Sequence, residues 1–146
     1  MTESVRTKIS NALLARLDLV TELKYKAFDS VKLMATDFQE WEIPAVQAID
    51  LAEIITHEMR RAKKSWNLVL EVIVGPTSSD TPDQRDLWDL METIERQLWA
   101  VPNLGLSEVI HMQLLSTSTD LHLLKPFYLG RIELAVLYYQ PLVGDC

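Results

Sequence analysis

Two stretches of the chain place a large apolar residue at every second position. Trp66, Leu68, Leu70, Val72 and Val74 form the first, and Ile132, Leu134, Val136 and Tyr138 form the second. Period-two alternation predicts strands of a sheet with one face buried and the other turned to solvent or a partner. Strands are therefore expected over Ser65–Val74 and Tyr128–Tyr139, the latter ending at Gln140-Pro141. Val109–Ser116 reads as another strand, with Ile110, Met112 and Leu114 on one face, before an exposed polar break at Ser116–Asp120. A short strand is read within Leu23–Leu33. Pro44 lacks a backbone donor, so Glu40–Val46 enters a strand at its edge or start. Val46–Glu58 continues either as a strand with a bulge or as a strand passing into a loop.

Helical spacing occurs twice. Val5, Ile9, Leu13, Leu17 and Val20 recur every three to four residues, which predicts an amphipathic helix from Thr2 to Val20 capped by Thr2 or Ser4. Leu87, Leu90, Met91, Ile94 and Leu98, joined by Trp88, give a second stripe ending near Ala100. Its start is read as Thr81 capping, Pro82 in the first helical position and Gln84 completing a capping box. The order is helix, two or three strands, helix, two strands. Short links favour antiparallel pairing. The fold class expected is α+β: two layers, a mainly antiparallel sheet of four to five strands, and two main helices packed on one face.

A chain of 146 residues and 16.7 kDa is expected to be a single domain, 1–146, with one core. The net charge of −7 argues against binding nucleic acid through its backbone. The one dense basic run, Arg60, Arg61, Lys63 and Lys64, reads as a solvated loop before a strand, or as a contact with an acidic neighbouring subunit. The single Cys146 cannot form an internal disulfide, which suits a reducing compartment. Met1–Lys8 has no apolar core of a secretory signal, and no stretch reaches the ~20 apolar residues of a membrane-spanning helix. Neither secretion nor a membrane role is expected.

No catalytic constellation emerges. His57, His111 and His122 lack the spacing of a zinc helix; His111 and His122 would approach one another only if the flanks of Ser116–Asp120 paired. Four scattered glycines make no phosphate loop. The carboxylate pairs Asp86/Asp89 and Glu92/Glu95 fall on the solvent side of a helix. No cofactor, metal or enzymatic activity is expected. Trp66 and Trp88 read as core and Trp99 as half-buried, whereas Trp41, between Glu40 and Glu42, reads equally as core or as an interface anchor. Tyr138 and Tyr139 point to opposite faces, so one is core and the other is available to a neighbour.

The layout of the whole chain resembles the tail terminator (tail completion) proteins of long-tailed bacteriophages. The resemblance is carried by the helix around Ile9-x-x-Ala12-Leu13-Leu14-Ala15-Arg16-Leu17, the extended Glu42-Ile43-Pro44-Ala45-Val46, the strand Asn67–Val72, the Leu/Ile/Glu-rich helix Leu87–Leu98, and the closing strand Ile132–Tyr139. It implies a structural virion protein of the tail, assembled in the host cytoplasm. Its homo-oligomer would be a hexameric ring that caps the tail tube, ends its growth and presents a docking surface for the head connector or neck protein. Genomic DNA would pass through the lumen without specific binding, and the acidic balance suits this because like charge repels phosphate. The contact regions expected are Trp41, Glu42, Ile43 and Pro44; Arg60, Arg61, Lys63 and Lys64; Ser116, Thr117 and Asp120; and Tyr139. The alternatives are another head–tail joining protein and a small non-catalytic ligand-binding α+β domain.

Overall fold

A computed structural model describes residues 3–28, 42–76, 81–120 and 127–141. Its elements run α1 (Val5–Leu17), β1 (Tyr25–Phe28), β2 (Ala45–Glu58), β3 (Arg61–Val74), α2 (Gln84–Trp99), β4 (Val109–Asp120) and β5 (Tyr128–Pro141). The strands form one five-stranded sheet in the order β1-β2-β3-β5-β4. Both helices pack on the same face, giving the expected two-layer α+β arrangement.

The alternating residues behave as their spacing requires. Trp66, Leu68, Leu70, Val72 and Val74 of β3, with Ile132, Leu134, Val136 and Tyr138 of β5, share one core with Ile9, Leu13 and Leu17 of α1. Leu87, Leu90, Met91, Ile94 and Leu98 of α2 close that core. Each such side chain removed from water contributes about 1.5–3 kcal/mol. Arg16 ties the helices together: its Nε and Nη2 donate to the Gln97 carbonyl at 3.1 and 2.9 Å. A smaller, separate apolar cluster, Ile43, Ala45, Ile73 and Leu129 with Tyr25 and Phe127, lies where Ala45, Ile73 and Leu129 stand side by side on β2, β3 and β5.

Several expectations need correction. The β1–β2 pair is parallel, Tyr25 lying opposite Ala45, while the other three pairs are antiparallel. The first helix is shorter than Thr2–Val20 and is capped by Ser4, whose side chain accepts from the Thr7 amide. Helix α2 is capped by Asp83, and Asp86 completes the box, so Thr81 is no cap and Gln84 is the first helical residue. Asp83 has the extended backbone that lets its carboxylate turn back onto the Arg85 and Asp86 amides. Trp88 is half-exposed because it sits one residue, about 100° of helix, past the buried Leu87. Ile110 is exposed too: a register shift between Val109 and His111 turns it away from the buried Val109 and Met112. The polar run Ser116–Asp120 is strand rather than loop, pairing with Leu129–Glu133, as Ser and Thr can do on an open strand. His111 therefore lies inside β4, and its flank does not fold back on itself; His122 lies outside the described residues.

Candidate functional site

The second half of β2 and the first half of β3 form a hairpin arm. β1 covers β2 only from Ala45 to Ala48, so among the described residues the outer edge of β2 beyond that point has no neighbouring strand. The β2–β3 pairing nonetheless continues to Glu58 opposite Arg61, after a register shift between Asp50 and Ala52. The expected bulge is thus present, and the strand does not dissolve into a loop. The basic run, read above as loop, lies on this arm. Arg60 is in the turn, and Arg61, Lys63 and Lys64 are strand residues pairing with Pro141, Tyr139 and Tyr138.

The arm exposes large apolar side chains. Leu51, Ile54 and Ile55 retain 52%, 67% and 48% of their accessible surface, and Met59 at the tip is fully exposed. Met59 is the first of two turn residues and takes a positive φ of 25°, a conformation favouring glycine.

A polar cluster anchors the base of the arm to the core. Glu53 accepts from the Tyr138 hydroxyl at 2.5 Å and pairs with Arg6 at 2.9 Å and Lys64 at 3.6 Å. Asp50 accepts from the Trp66 indole at 2.7 Å, and the Arg6 guanidinium lies 5.0 Å from the centre of that ring. Burial pushes the Glu53 carboxyl up, but hydrogen bonds from Arg6 and Tyr138 and the charges of Arg6 and Lys64 outweigh it, leaving it below its ordinary value. Burial and the neighbouring Glu53 carboxylate drive the Tyr138 phenol far above its ordinary value. The cluster therefore holds a fixed carboxylate and a phenol that stays protonated. It has the character of a structural clamp: both Glu53 oxygens, the Tyr138 hydroxyl and the Trp66 indole are committed to neighbours.

The sequence-derived contact residues fall into separate places. Glu42 and Ile43 are buried and Pro44 half-buried at the start of β2, beside the small apolar cluster; Trp41 lies outside the described residues. Lys64 joins the clamp and also bonds the Gln140 side chain. Arg61 pairs with Glu58 at 3.1 Å and stacks 3.7 Å from the Tyr139 ring, so the basic run and Tyr139 come together. Ser116 donates to Glu133 at 3.3 Å, and Ser116 and Thr117 lie far along β4 from the arm, as does the backbone of Asp120. Tyr138 and Tyr139 do point to opposite faces, the first buried and the second half-buried. Sequence reasoning gave no role to Leu51, Ile54, Ile55 or Met59. The signal was present in an apolar run without a core partner, interrupted by acids at Asp50, Glu53 and Glu58.

Among the described residues, no group of three or more His, Cys, Asp or Glu side chains is arranged to hold a metal ion, and no helix is long and apolar enough to cross a membrane. The fold and surface define a two-layer α+β domain whose β2–β3 hairpin, flanked by β5 on its β3 side, carries exposed apolar side chains. Comparison of the chain with protein-family models and with curated proteins gives no match.

Proposed function

We propose that this protein is a structural virion component that forms a ring on the end of a phage tail tube, stops its growth and offers the docking surface for the head connector. The reading takes its partners, and its number of subunits, from the family resemblance of the layout. What carries it in the molecule is the arm: Leu51, Ile54, Ile55 and Met59 project apolar surface beyond the core, where a protein partner would cover it. The function is binding geometry, without a chemical step. Deleting the gene from the parent phage tests it, with electron microscopy as the readout. Overlong tails, or tails of normal length that fail to join heads, are the expected result. Normal tails on filled heads would overturn the reading.

A second reading, a small ligand-binding domain, is favoured by a cleft of about 400 Å3 lined by Ile43, Pro44, Val74, Leu90 and Asp86. A stable monomer holding a tight small-molecule ligand there would select it.

A further inference from the structure

The arm tip has a complement elsewhere on the same molecule. Between α2 and the far end of β4 runs a groove of about 450 Å3. Trp88 and Met91 give it an apolar wall, Glu92 and Glu95 an acidic one, and Thr117–Thr119 a polar rim. Trp88 is half-exposed although its neighbours Leu87 and Met91 are buried, so the groove is an apolar surface left open. Glu92 is paired with Arg96 at 2.9 Å, but among the described residues no cation pairs with Glu95. Glu95 is partly buried beside Glu92, and both effects push its carboxyl above the ordinary value. An incoming cation would relieve that.

The tip carries the matching chemistry in order. Met59 is fully exposed and unbranched, suited to an aromatic wall through its sulfur. Arg60 follows it and, unlike Arg61, has no acidic partner among the described residues. The tip cannot reach its own groove. Arg61 pairs with Pro141 at one end of the sheet, whereas Thr117 at the groove lies opposite Ile132, which pairs with Leu70. Nine residues of strand separate the two levels, about 30 Å.

We infer that the tip of one copy seats in the α2–β4 groove of the next, Met59 against Trp88 and Met91, and Arg60 against Glu95. The occupant is a second copy of this chain, selected by charge complementarity between a basic tip and an acidic groove. Because donor and acceptor are different patches, the contact is head-to-tail, the class of contact that builds a ring when its rotation closes. The proposal rests on the ring-forming reading for its partner, but not on the tail for its test.

Two single-cysteine variants, Met59→Cys and Ser118→Cys, each made in a Cys146→Ser background, are purified separately, mixed and oxidised. The expected product is a disulfide-linked heterodimer, doubling the mass, in the mixture and not in either variant alone. It is also expected to exceed the yield of Met59→Cys mixed with Asn11→Cys, a position on the exposed side of α1. Adding Arg60→Glu to the first variant, or Glu95→Arg to the second, abolishes the cross-link; adding both restores it. Cross-linking equal to the Asn11→Cys control, or indifferent to the charge reversals, overturns the proposal. Normal cross-linking with normal tails in the deletion phage would instead leave the contact standing and remove the tail-capping role.

Discussion

The Tyr138 hydroxyl donates to the Glu53 carboxylate at 2.5 Å, across 85 residues of sequence, and joins the last strand to the arm. Tyr138 is 1% exposed, so its ring belongs to the core while its hydroxyl belongs to the clamp. Tyr138→Phe keeps the ring and removes the donor. The expected loss is about 1.5 kcal/mol, the usual worth of a hydrogen bond to a charged group. Denaturant unfolding measures it, and an unchanged midpoint would show that the bond contributes nothing net.

Acid should loosen the same clamp. The folded-state carboxyls of Glu53 and Glu108 both lie below their ordinary value, the latter chiefly because Lys8 donates to it at 2.7 Å. A depressed carboxyl contributes stability that is complete above its unfolded value and is lost as pH falls through the folded one. Stability should therefore fall below about pH 4.5, the ordinary carboxyl range. Glu53→Gln, lacking that titration, should show a shallower acid limb in unfolding midpoints taken from pH 7 to pH 3.

The start of α2 gives a comparison of neighbours. Asp83→Ala removes a side chain that accepts from both Arg85 and Asp86 amides, and should cost about 1 kcal/mol. Thr81→Ala, outside the box, should stay within about 0.5 kcal/mol of the parent. Thermal or denaturant unfolding of the pair separates the two positions.

Met59→Gly should do the reverse of most substitutions. The side chain is fully exposed and its backbone has a positive φ, so glycine relieves about 1 kcal/mol of backbone cost with no packing to lose. A more stable protein that has lost its tip side chain is the expected outcome, read as a raised denaturation midpoint. A lowered midpoint would mean that the thioether packs within its own chain.

The regular parts of the fold were legible because nothing interrupts their periodicity. β3 and β5 pair residue for residue from Arg61–Pro141 to Val74–Tyr128, so alternation in sequence is alternation in space. The buried stripe of α2 follows for the same reason. Alternation stops being a guide where the register shifts, as it does between Val109 and His111 in β4. Such a shift reverses the face that a counted position should occupy, so Ile110 faces outward although it is two residues from the buried Met112. The arm is hard to see in the sequence because its turn, Met59-Arg60, contains no glycine or asparagine, and four basic residues in five positions look like loop. Thr81-Pro82 carries a strong start signal two residues before the true α2 cap, and the choice of Asp83 depends on backbone angles that composition does not encode.

The β3–β5 ladder is the one strand pairing on either side of β3 or β5 that runs its full length without a shift, whereas both flanking ladders are broken once or more. Fourteen paired residues make a strut of about 45 Å. Such a strut does not fold at its middle. One uninterrupted set of ladder hydrogen bonds therefore ties Arg61 at the tip of the arm to Val74, which leads toward α2.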